Sequence, residues 1–272
     1  LPLVVPVARR RTVAHARVKP VSAPAPEPPK AQPGDRRASL ALSFASGAVN
    51  AGSMLACGRF VTHVTGTATL IGLDVGRWAL VTDYLLVLFS FIAGAIAVGA
   101  APGGRERGPA ARLALTVVVL VLALVTTLGV VGVFDPFGST VEEASDFALL
   151  SMLGFAMGIL NASSSRWMDN ARVTHLTGEA TDLGLAIGRG IRARGERRHE
   201  ALSAALLRAS KFVAFISGAG AMAWIGPKVG YYAFIAPAAL VLGVLARAFR
   251  PRKTTAAGSD AAETRDVIAS PP

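Results

Sequence analysis

Two histidines, His63 and His175, occupy matching places in two related segments. Each is followed at the second position by a threonine, Thr65 or Thr177, and at the third by a glycine, Gly66 or Gly178. Imidazole changes charge near neutral pH, so in an apolar setting this pair can relay protons or hold a ligand, one group per segment. The alternative is that each ring bonds a backbone carbonyl at a helix break. Upstream stand Asn50 and Asn161, each three residues after a glycine, Gly47 or Gly158. A buried amide needs partners, so each asparagine either lines a polar cavity or bridges two helices. The candidate substrate-binding residues are therefore Asn50, His63, Thr65, Gly66, Asn161, His175, Thr177 and Gly178. A metal centre needs three or four ligands. No set of Asp, Glu or Cys at ligand spacing accompanies either histidine, so neither a metal nor a cofactor is expected.

The segments that must position these groups are copies. Val61–Arg77 reads VTHVTGTATLIGLDVGR, and 112 residues later Val173–Arg189 reads VTHLTGEATDLGLAIGR; eleven of seventeen positions are identical without a gap. Identity at one fixed offset marks an internal duplication. The flanks repeat as well. Phe44, Gly47, Asn50 and Ala51 answer to Phe155, Gly158, Asn161 and Ala162 at an offset of 111, and Phe91-Ile92-Ala93-Gly94-Ala95 answers to Phe215-Ile216-Ser217-Gly218-Ala219 at 124.

Each copy reads as a short helix. Val64, Ala68, Ile71 and Val75 form an apolar stripe, repeated by Leu176, Ala180, Leu183 and Ile187. Beside it runs a small face, Thr65, Thr69, Gly72 and Gly76, repeated by Thr177, Thr181, Gly184 and Gly188. Such faces let helix backbones approach closely. Thr65 and Thr177 are predicted N-caps. From Thr65 to Gly76 a helix would be about 18 Å long, too short to span a bilayer. It is either a re-entrant half-helix aiming its N-terminal amides at the bilayer middle or a helix lying in the interface. The small face favours burial in protein.

Composition supplies the setting. Of 272 residues 52% are hydrophobic and 17% charged, against about 25% charged in a soluble domain; mean hydropathy is +0.50. Long apolar runs predict an integral membrane protein with the lipid bilayer as its partner. The net charge of +11 lies in tails and loops beside these runs, which argues for membrane topology rather than nucleic acid. Cys57 is the single cysteine, so no internal disulfide is possible. There is no G-x-x-x-x-G-K-[ST] loop, no H-E-x-x-H, no G-x-S-x-G and no carboxylate pair within a span, so an enzyme is not expected.

Six spans are predicted, near 39–57, 79–100, 111–133, 147–164, 206–225 and 231–249. Arg208 and Lys211 are expected to snorkel to the interface at the start of the fifth. Residues 1–38, Pro-rich and basic, and 250–272 are predicted disordered tails. Basic loops placed in the cytoplasm put both termini inside. Three spans separate the copies, so the second half enters from the opposite side. The predicted fold is an all-α membrane protein of two inverted three-helix repeats, 39–134 and 146–249, each with a half-helix after its first span.

Phe44-x-x-Gly47-x-x-Asn50-Ala51, Thr62-His63-Val64-Thr65-Gly66, Gly158-x-x-Asn161-Ala162 and His175-Leu176-Thr177-Gly178 resemble the motifs of the YoaK family of bacterial six-span membrane proteins, over about 39–249. The resemblance implies an inner-membrane protein whose biochemical activity is not established. The chain departs from the family pattern where Asn50 replaces an acidic residue, Leu160 a Gln, and Thr67 and Glu179 an Asn. The function expected is a small-solute transporter or channel with its site between the two motif copies. The alternative is a non-transporting scaffold or partner-binding protein in which the motifs serve helix packing.

Overall fold

The computed structural model describes residues 33–103, 108–139, 144–167, 173–174 and 176–248. Among them every regular element is helical: α1 (Pro33–Cys57), α2 (Val64–Leu73), α3 (Trp78–Ala100), α4 (Pro109–Val130), α5 (Ala144–Trp167), α6 (Leu176–Arg192), α7 (Gly195–Val229), a 3₁₀ turn (Gly230–Phe234) and α8 (Ile235–Ala248). Five helical stretches are long and apolar enough to cross a bilayer, the fifth being the 53 residues Gly195–Arg247, which take in α7 and all of α8 but its last residue. A helix satisfies its own backbone groups, which is what hydrocarbon demands of a spanning segment. The chain is a multi-pass helical membrane protein.

Two boundaries differ from expectation. Helix α1 begins at Pro33 instead of Ser39; proline is favoured at a first helical position. Helix α7 begins at Gly195, well before the predicted 206. Its 35 residues are about 52 Å long at ~1.5 Å each, so its exposed first turns, Glu196–Glu200, exceed a ~30 Å hydrocarbon core.

The core is built on two helix crossings of the same design. Helix α1 packs on α7, and α3 on α5. All four helices carry Phe-x-x-Gly, at Phe44–Gly47, Phe91–Gly94, Phe155–Gly158 and Phe215–Gly218. A Cβ on Gly47 would collide with the Phe215 carbonyl oxygen, and one on Gly218 with that of Phe44. The other crossing repeats the relation: Gly158 meets the Phe91 carbonyl and Gly94 that of Phe155. Backbones come this close only where side chains are absent. Ala95-x-x-x-Gly99, which looks like such a contact in sequence, is not one. Gly99 has no described atom within 4 Å of an added Cβ, and Gly94 makes the contact instead.

Around the crossings lie Leu42, Val49, Leu153, Met157 and Leu160, all fully buried, with α4 and α8 packed on α5, on α1 and on each other. The Arg166 side chain at the end of α5 donates to carbonyls at the end of α3, those of Val98, Gly99 (3.2 Å), Ala101 (2.9 Å) and Gly103 (2.6 Å). A cation there complements the negative end of the helix. Tyr231 is buried. Its hydroxyl donates to the Asp135 carbonyl at 2.8 Å, and its ring fills the space over Gly129.

Candidate functional site

The first copy is held from behind. Asn50 on α1 accepts hydrogen bonds at Oδ1 from the Thr62 N–H (3.1 Å) and the Thr62 hydroxyl (2.9 Å). This clamps the loop to the span immediately ahead of His63. His63 occupies the N-cap of α2, and no side chain caps that end. Thr65, the predicted cap, is the second residue of the helix; its carbonyl accepts from the Thr69 hydroxyl at 2.9 Å. The His63 ring folds over the first turn. A Cβ on Gly66 would lie 2.7 Å from its Nδ1, and Phe60 meets the ring edge-on at 6.0 Å. The His-x-x-Gly spacing thus has a steric reason: any other side chain at 66 displaces the imidazole.

Helix α2 stops at Leu73. The buried Asp74 carboxylate pairs with the Arg77 guanidinium, and Gly76 turns with φ 104°, a conformation that favours glycine. Between α2 and α3 lies a pocket of about 520 Å³, lined by Arg59, Phe60, His63, Thr65, Gly66 and Thr67, with Leu70, Tyr84 and Val87 among its walls and Leu150 of α5 closing one side. Its size is that of a small-molecule site, which spans about 300–1,000 Å³. The Arg59 guanidinium lies 4.8 Å from the centroid of the Tyr84 ring, a cation–π arrangement. Among the described residues no acid lines the pocket. Three candidates, His63, Thr65 and Gly66, meet at this pocket. Asn50 does not line it; it positions the loop that does.

The second copy is built differently. Asn161 Oδ1 and Thr174 Oγ1, counterparts of the Asn50 and Thr62 atoms, are buried without a hydrogen-bond partner among the described residues. His175 lies outside the described residues. Thr177 and Gly178 are exposed on the first turn of α6, and Thr177 is inside the helix instead of capping it. The small faces predicted to pack against protein do not. Thr65, Thr69, Thr177 and Thr181 are exposed, and a Cβ on Gly72, Gly184 or Gly188 would meet no described atom within 4 Å.

Where the first copy has a pocket, the second has charge. Lys211, expected to snorkel, is 3% exposed. Its Nζ lies 3.9 Å from Oε1 of Glu179, itself 8% exposed. Arg208 Nε lies 3.9 Å from Glu179 Oε2, and its Nη2 3.7 Å from Asp182. Sequence reading missed this cluster, although its signal is simple: two acids three apart on one helix face two cations three apart on the next.

No curated protein and no solved structure is detectably similar to the chain. Residues 38–247 do match a family model, described as DUF1275, protein of unknown function; the motifs quoted above lie within that match, and the chain belongs to the DUF1275 family, of which the YoaK family is part.

Proposed function

We propose that the chain is a small-solute transporter of the inner membrane, with a solute site at the pocket beside His63, Thr65 and Gly66. The observation that carries this reading is the pocket itself. It combines apolar walls, an imidazole, a guanidinium and the uncapped N-terminus of a short helix, a lining suited to a solute with one polar end. The packing favours inverted halves. The end of α1 that leads into α2 lies by the 135–138 turn, where the Gly138 N–H donates to the Ala56 carbonyl at 3.3 Å. The end of α5 that leads to α6 lies by the C-terminal end of α3, through Arg166. Counting the 3₁₀ turn with α8 as a sixth crossing, and keeping the basic loops in the cytoplasm, puts both termini inside. An inverted pair of broken-helix repeats is a recurrent transporter architecture.

The test is flux of labelled small solutes, with proton flux followed in parallel, into proteoliposomes holding the purified chain. The expected result is saturable uptake of one solute class that falls at least tenfold in Gly66→Leu, which displaces the His63 ring. A folded chain that moves no solute of any class overturns the proposal.

A further inference from the structure

The two copies can be laid over one another residue by residue, and the pocket then has a counterpart. At the offset of 112, Thr67 and Leu70 of the pocket correspond to Glu179 and Asp182; at the offset of 124, Tyr84 and Val87 correspond to Arg208 and Lys211. These four charged residues are the α6–α7 cluster. The wall of the pocket in one half corresponds in the other to a carboxylate held between two cations.

We infer that Arg208 and Lys211 form a binding seat for the carboxylate of a small solute, and that Glu179 occupies it as a built-in ligand. The distances support exchange. Both cations stand 3.9 Å from the Glu179 oxygens, beyond the roughly 2.7–3.2 Å of a hydrogen bond, so these contacts hold the carboxylate by charge and not by directional bonds. Burial supports function. An ammonium 3% exposed on an apolar helix is costly and marks a substrate or ion path more often than a structural one. The chemistry of the stand-in names the class: a seat that accepts a glutamate side chain accepts a monocarboxylate of similar reach.

This inference rests on the transport reading for its purpose, but binding tests it separately. The probes are benzoate and its neutral isostere benzamide, titrated against the full chain in nanodiscs. Wild type is expected to bind benzoate weakly. Glu179→Gln, which removes the internal carboxylate while keeping its shape, is expected to bind benzoate at least tenfold tighter, with benzamide unchanged. Adding Lys211→Met to Glu179→Gln is expected to abolish the gain. If Glu179→Gln does not fold, Glu179→Ala carries the same test, because it also removes the internal carboxylate and must raise benzoate affinity. Equal gains for benzoate and benzamide, or no gain for benzoate in a folded variant, overturn the seat. Tight benzoate binding without flux in proteoliposomes retains the seat and defeats the transporter; flux of another solute class without benzoate binding does the reverse.

Discussion

Helices α2 and α6 start from nearly the same sequence and end in different structures. Both enter through Val-Thr-His and both carry Thr-Gly in their first turn. Helix α2 then stops after 10 residues, while α6 runs for 17. The cause is local. Asp74 in the first copy stands where the second has Ala186. Aspartate competes with helix by bonding nearby groups, and alanine is the best helix former. Asp74 pairs with Arg77 and lets Gly76 turn; Ala186 keeps the helix going, so Gly188 and Arg189 remain helical. The space each helix covers differs in the same way. Thr67 and Val87 line a pocket, whereas Glu179 and Lys211 at the corresponding places fill theirs with charge. Residues shared by the copies start the helices and set the span crossings; residues that differ decide what lies beneath.

The shared part of that comparison breaks most severely at the crossings. Gly47→Val and Gly158→Val each drive a side chain into a facing backbone carbonyl. Each is expected to cost about 3 kcal/mol or more, as overpacking does, seen as lost monodisperse protein in detergent. A tolerated valine at either site would show that the close approach is not required.

Next in size is the charged half. Lys211→Met leaves Glu179 with one cation in place of two. Breaking a buried pair costs about 3 kcal/mol, and thermal unfolding should record it. The double variant Glu179→Gln, Lys211→Met should recover most of the loss. Val87→Met in the first half enlarges a buried core residue and should cost about 1–3 kcal/mol through overpacking, with no charge left unpaired.

A smaller asymmetry separates the two asparagines. Asn50→Leu removes both hydrogen bonds to Thr62 and should cost about 1–3 kcal/mol, since it strands the Thr62 donors. Asn161→Leu removes an oxygen that bonds nothing and should cost less. Equal losses in paired unfolding curves would erase the distinction between the halves.

The smallest effect is on helix length. Asp74→Ala should let α2 continue toward Gly76, a gain of about one turn visible in far-ultraviolet circular dichroism. Gly184→Ala on the exposed face of α6 should stabilise by about 0.5–1 kcal/mol through helix propensity alone.

Much of the fold was legible. Apolar runs located the five long helical stretches, because hydrocarbon leaves a segment no choice but helix. The helix ends were less legible. A threonine before a helical run looks like a cap, yet His63 takes that place and Thr65 falls inside. The small faces misled for a related reason: periodicity says which residues share a face, not what the face meets. Lys211 misled most, because a cation near a span end can reach the interface or find a partner, and the partner lies on another helix.

By itself, the sequence determined that this is a helical membrane protein and that the stretch Val61–Arg77 recurs at Val173–Arg189, because hydropathy and identity at fixed offsets are properties of the chain read in order. Only the tertiary structure decided that the four Phe-x-x-Gly runs pair as α1 with α7 and α3 with α5, that His63 and Arg59 share a pocket, and that Glu179 lies between Arg208 and Lys211. Those facts depend on which helix faces which, and contacts between residues dozens of positions apart are set by packing and charge complementarity, which no local pattern records.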